Sequence, residues 1–149
     1  MHYKTEPFKL QHLYRLKPRP EQQEDYDFIK TNDASLNYFW TRGLTLLDGE
    51  STVAIFAFID LGFGSYMPLL LTSSEAIKHK LTLVKFIYEY FEKYVGPEVR
   101  RVEALIDVED KTALRFVKFF GFDIIGIKHC SSRTGGDQII VERLIRKPW

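Results

Sequence analysis

Residues 66–108 change their hydrophobic period twice, and no other part of the chain limits the fold so tightly. "YMPLLLTSS", from Tyr66, reads as a strand over Tyr66 to Thr72. From Glu75 to Tyr94 the apolar positions Ile77, Leu81, Val84, Ile87, Tyr88, Phe91 and Val95 recur at i, i+3, i+4. Lys78, Lys80, Lys85, Glu89 and Glu92 lie off that face, so the spacing predicts one long amphipathic helix. After "GPE" the period returns to two, with Val102, Ala104, Ile106 and Val108 on one face of a strand over Val99 to Val108. Strand, long helix, strand predicts a right-handed parallel crossover.

The segments around this unit are shorter. "HYKTEPF" reads as an opening strand, and "KLQHLYRL" as a helix stopped by "KPRP". "EQQEDYDFIK" begins with the acidic residues that a helix N-terminus favours, and "NDASLNYFWTRG" offers Asn32 or Asp33 as a cap and Gly43 as a stop. Within it, Tyr38, Phe39 and Trp40 read as core rather than as an exposed docking patch. "LTLLDGESTVAIFAFID" carries an Asp48-Gly49 turn between two β-rich runs, a hairpin signal, and "LGFGS" ends the second run. Pro68 has no ladder donor, which suits a strand edge or a bulge. "DKTALRFVKFFGF" predicts a helix from Asp110, followed by a strand from Phe122, a polar turn "SSRTGGDQ" and a closing strand "IIVERLI".

A chain of 149 residues, 45% of them hydrophobic, suits a single compact domain. Its 21 basic and 20 acidic side chains nearly cancel, so no global field attracts nucleic acid or an anionic membrane. Cys130 is the only cysteine, which excludes an internal disulfide and any multi-cysteine metal site, and suits a reducing compartment. The N-terminus carries no apolar signal segment, and no apolar run is long enough to span a bilayer. These features predict a soluble, cytoplasmic protein. The four histidines, His2, His12, His79 and His129, are scattered; no metal site, phosphate-binding loop or nucleophile triad is evident.

The element order, together with "ALRFVKFFGF" in the last helix, resembles the GNAT superfamily of acetyl-coenzyme A dependent N-acyltransferases. The resemblance implies an α/β (α+β) fold with a mixed, mostly antiparallel sheet, one parallel crossover and flanking helices. Within the superfamily, "EPFKLQHLYRLKPRP", "LLLTSSEAIKHKL" and "RRVEALID" are most similar to the small GNAT-like proteins of tailed bacteriophages, some of them virion or accessory proteins. That narrower resemblance implies a host-cytoplasm or virion location.

The resemblance also implies where a site would lie. In GNAT enzymes the fourth and fifth strands splay, and the pantetheine arm of acetyl-coenzyme A enters as a pseudo-strand. Here the outgoing strand supplies Leu70, Leu71 and Thr72, whose alternative reading is an ordinary buried strand. The pyrophosphate of the cofactor calls for a helix N-terminus with closely spaced glycines. "TSSEAIKHKLTL" holds none, and offers Ser73, Lys78, His79 and Lys80 instead; the lysines equally suit a solvated helix face. The family's proton donor, a tyrosine four residues before the helix-ending glycine, corresponds to Val117, and its asparagine corresponds to Asp110, an N-cap. Glu103 and Asp107 share a face of the fifth strand by alternation and are the general-base candidates for an amine or protein substrate, against a solvent-facing edge. Two readings stay open: an N-acyltransferase, and a non-catalytic GNAT-fold binding or virion-associated module.

Overall fold

A computed structural model describes residues 2–94 and 98–145, without the side chains at positions 38, 41, 77, 92 and 94. The expectations for Val95, for the "GP" of "GPE" and for the side chains of Tyr38 and Ile77 fall outside these. Seven strands run in the order β1-β2-β3-β4-β5-β7-β6. The register is antiparallel for β1 with β2, β2 with β3, β5 with β7 and β6 with β7, and parallel for β4 with β5. This is the mixed, mostly antiparallel sheet with a parallel crossover that the sequence predicts.

Two compact units divide the chain. The first, Met1–Ile59 with Leu69–Gly96, holds β1 (Tyr3–Pro7), α1 (Leu10–Arg15), α2 (Gln23–Thr31), α3 (Asp33–Arg42), β2 (Leu44–Asp48) and most of β3 (Ser51–Gly62). It also holds the end of β4 (Ser65–Thr72) and α4 (Lys80–Tyr94). Its core gathers Phe8, Leu13, Leu16, Tyr26, Ile29, Phe39, Ile55, Ala57 and Leu71. Asn32 caps α3 by accepting the Ser35 N–H at 2.9 Å, as the sequence suggests. Phe39 is fully buried, whereas Trp40 is 54% exposed and rests edge-on against Phe8, so the aromatic run is only partly core.

The long helix differs from its sequence reading. Its start, Ala76–His79, is a 3₁₀ turn, and the α-helix begins at Lys80. The buried face consists of Leu83, Phe86, Ile87 and Tyr90, while Leu81 is 81% exposed. Both faces of this segment carry large apolar side chains, so the period alone left the phase open. The 3₁₀ turn, with three residues per turn, shifts the phase relative to a continuous α-helix. Tyr90 then lies edge-on to Phe56 and Phe58, and its hydroxyl donates to the Arg42 carbonyl at 3.0 Å.

The second unit, Asp60–Pro68 with Pro97–Trp149, holds the tip of the β3–β4 hairpin, β5 (Arg101–Asp107), α5 (Lys111–Phe119), β6 (Asp123–Lys128) and β7 (Gln138–Leu144). Asp110 caps α5 by accepting the Ala113 N–H at 3.0 Å, the structural role expected of it. Parallel pairing of β4 with β5 covers Ser65↔Arg101 and Tyr66↔Val102. Pro68 stands two residues beyond Tyr66, so its nitrogen faces the same edge, and without an N–H it cannot make the next bond. The proline that the sequence assigns to an edge or a bulge therefore ends this ladder.

Candidate functional site

The end of β4 is where the sequence places the backbone of a cofactor site. Leu71 is buried in the first unit's core and Leu70 is half-buried. Thr72 and Ser73 are buried, and the Ser73 N–H donates to the Val53 carbonyl at 2.8 Å, on the β3 side. On the other edge of β4, Gln22 reaches Leu70 and Thr72 through its side-chain amide, with Nε2 donating to the Leu70 carbonyl at 2.7 Å and Oε1 accepting the Thr72 N–H at 2.9 Å. Arg19 adds a backbone N–H to the Thr72 carbonyl at 3.2 Å and a side-chain Nε to the Thr72 hydroxyl at 2.8 Å.

Sequence reasoning missed Gln22 and Arg19. They lie 48 to 53 positions from their partners, Gln22 in a stretch read as a helix start and Arg19 in the "KPRP" read as a helix stop, and no local pattern signals such pairing.

Two of the candidate residues after β4, Lys78 and His79, are engaged on the protein's own groups. Lys78 is exposed and paired with Glu75 at 2.5 Å, and this pair holds the Glu75 carboxyl below its ordinary value. Lys80 is exposed. The His79 ring lies edge-on to Tyr3, with Nδ1 bonded to the Tyr3 hydroxyl. Such an exposed lysine pair contributes little, so Lys78→Ala should change stability by less than ~0.5 kcal/mol in urea unfolding. A loss several times larger would give Lys78 a structural role.

In the second unit Glu103 and Asp107 lie on β5 four pairs apart in the register with β7, which by alternation is the same strand face. Glu103 is bonded to the Arg101 guanidinium at 2.5 Å, which also meets Glu142 at 2.9 Å. Asp107 accepts a bond from the Gln138 amide at 2.8 Å. Glu103 thus shares the Arg101 cation with Glu142, while Asp107 is held by a neutral donor.

Near β1, His12 is buried, accepts the Lys9 N–H on Nδ1 at 3.0 Å and is bonded through Nε2 to Glu6 at 2.8 Å. The buried His12 ring caps the start of α1, while its partner Glu6 is half-buried. Among the described residues, no group of three His, Cys, Asp or Glu could hold a metal ion, and no helix is long and apolar enough to cross a membrane.

No protein-family model matches the chain, and no curated protein is similar to it in sequence. Solved structures are similar in fold. Ard1 from Thermoplasma volcanium aligns with a TM-score of 0.79 at 12% identity, covering 97% of this chain and 99% of that one. An aminoglycoside 6'-acetyltransferase type Ii aligns at 0.69 and 15% identity, covering 97% and 99%. A chain of the NatC complex bound to Gag peptide and CoA aligns at 0.68 and 12% identity, covering 98% and 100%. The fold is that of the GNAT acetyltransferases.

The site that the GNAT resemblance implies needs an open strand edge for the amides of the acyl-coenzyme A arm and close-approach backbone for its phosphates. At Leu70 and Thr72 the edge is bonded to Gln22, and residues 73–80 contain no glycine. As folded, these residues do not fit the cofactor.

Proposed function

We propose that this protein is a GNAT-fold N-acyltransferase with an amine, free or on a protein, as acceptor, whose acetyl-coenzyme A site is closed in this fold and whose turnover is therefore low. The observation that carries the reading is the end of the parallel ladder at Pro68. It leaves β4 running on to Thr72 beyond its two register pairs with β5, as expected of the parted fourth and fifth strands that the family resemblance implies. Leu70, Leu71, Thr72 and Ser73 form the cofactor strand, and Lys78, His79 and Lys80 supply the positive charge after it. Asp107 is the general base, with Glu103 beside it on the same strand face. Low turnover follows from the edge bonded to Gln22, the absent glycines and Val117 at the proton donor's place.

Those same three features support a second reading, a non-catalytic binding or accessory module. The sequence resemblance to phage-encoded proteins suits a virion-associated role for such a module.

Thiol release from acetyl-coenzyme A, measured against a panel of amines and peptides, tests the proposal. The expected result is slow release that Asp107→Asn lowers by ~10²-fold without unfolding the protein. No release above background, together with no binding of coenzyme A by calorimetry, would leave only the module. Fast release would remove the claim of low turnover while keeping the acyltransferase.

A further inference from the structure

β6 pairs with β7 on one edge, and among the described residues no strand lies on its other edge. The strand is nonetheless apolar: Ile124, Ile125 and Ile127 are 48%, 47% and 56% exposed. Proteins shield such edges, because the unpaired N–H and C=O groups of an edge strand are a template for another chain. A bulge is one such shield, and here it also sorts the side chains.

Directly opposed residues of an antiparallel pair share a face, so the register with β7 fixes the faces of β6. Ile124 stands opposite Val141 and Ile127 opposite Ile139, on the face where Val141 is fully buried. Asp123, Gly126 and Lys128 stand opposite Glu142, Ile140 and Gln138, on the other face. In a regular strand Ile124 and Ile127 would point to opposite faces, and so would Asp123 and Lys128. The extra residue of the bulge, between Ile124 and Gly126, brings each of these pairs onto one face.

β6 is therefore self-complementary. It reads from either end as a charge, an isoleucine, the bulge, an isoleucine and a charge of opposite sign. Laid antiparallel on a second β6, about a two-fold axis between Ile125 and Gly126, Asp123 meets Lys128 of the second copy and Ile124 meets its Ile127. Each contact then occurs twice. The charges are unused in the single chain: neither the Asp123 carboxylate nor the Lys128 ammonium has an ion-pair partner among the described residues. Asp123 stands beside Glu142, whose cation, Arg101, is already shared with Glu103.

We infer that β6 is a homodimer edge, at which two copies of this chain join their sheets by antiparallel β6–β6 pairing in this register. A strand of another protein would need no such symmetry, so the mirrored order of residues selects a second copy. Ile124 and Ile127 continue the buried face across the junction, and the two ion pairs lie on its open face. A two-fold axis uses this edge of both copies, so association through it ends at a dimer. The inference is independent of the acyl-transfer reading.

Sedimentation equilibrium on the full chain over a series of concentrations tests the pairing. The parent should associate to a dimer, and amide exchange within β6 should slow as concentration rises. Lys128→Glu sets two carboxylates against each other at both ends of the junction, and Asp123→Lys sets two ammonium groups there. Each variant should weaken the dimer on the order of 10-fold, because two exposed ion pairs become repulsive. Mixing the two variants should restore association, since in a mixed dimer a carboxylate again faces an ammonium group at both ends. Both side chains are exposed, so both variants should fold. If one does not, the chain carrying Asp123→Lys and Lys128→Glu together decides the matter, and it should dimerise as the parent does. A monomer at every concentration would overturn the inference and leave the edge to a strand of another protein. A dimer that neither single substitution weakens, or that mixing the variants does not restore, would also overturn it and place the interface elsewhere.

Discussion

His12→Ala is expected to destabilise the protein by ~3 kcal/mol, through a lost buried ring and two lost hydrogen bonds. His12 is 1% exposed, and both of its ring nitrogens are committed. Nδ1 accepts the Lys9 N–H, so it carries no proton, and the proton on Nε2 is donated to Glu6. The ring completes one half of a capping box, in which the third residue of α1 satisfies the N–H of the residue before the helix. The substitution therefore strands a helix-start donor and leaves a half-buried carboxylate without its buried partner.

The same group sets a pH dependence. Burial pushes the His12 imidazole below its ordinary value of 6.5, with Glu6 opposing the shift only in part. In the unfolded chain the ring takes a proton as pH falls below about 6.5, while in the fold it resists, so the unfolded state binds more protons there. The stabilisation is complete above that pH and is lost as pH falls toward the lowered folded value. Glu6 adds a second loss at lower pH, because the Lys4 ammonium first, and the His12 bond after it, hold its carboxyl at about 2 against an ordinary 4.5. Melting temperatures measured from pH 8 to 5 should decline below about 6.5 in the parent, and this decline should be absent in His12→Ala. An unchanged slope in the variant would assign the pH dependence to other groups.

Gly64→Ala is expected to cost ~2–4 kcal/mol. Gly64 has φ of +78°, and an added Cβ would stand 2.5 Å from the Glu98 carbonyl oxygen, a backbone atom with no rotamer to yield. Its own carbonyl receives the N–H groups of Arg100 at 2.8 Å and Arg101 at 3.2 Å, which start the parallel ladder. Hydrogen exchange at Arg100 and Arg101 should accelerate along with the fall in chemical stability. Gly49→Ala makes the control, because Gly49 also has a positive φ, +59°, but nothing lies within 4 Å of its added Cβ. It should lose only the backbone term, ~1 kcal/mol. Equal losses at the two sites would show that the contact with Glu98 does not matter.

Element types and order follow from local chemistry, because period, turn residues and caps act over a few neighbours. Asn32 and Asp110 cap helices where their positions before an apolar run indicate. Pro68 ends a ladder because it has no N–H, a property of the residue itself. Period-two alternation also sufficed to put Glu103 and Asp107 on one face of β5.

The candidate site divides along the same line. That Glu103 is bonded to Arg101 and Asp107 to Gln138 depends on which strand pairs with β5 and in which register. The buried face of α4 depends on a 3₁₀ start, which an unbroken apolar pattern does not reveal.

The sequence by itself determined the strands, the helices and their order, and the family resemblance added the expectation of an open β4 edge. Only the tertiary structure decided that this edge is taken. Gln22 meets Leu70 and Thr72 across 48 and 50 positions of chain. Hydrogen bonds of that kind depend on where the folded backbone carries two distant segments, and nothing in the neighbourhood of either segment encodes it.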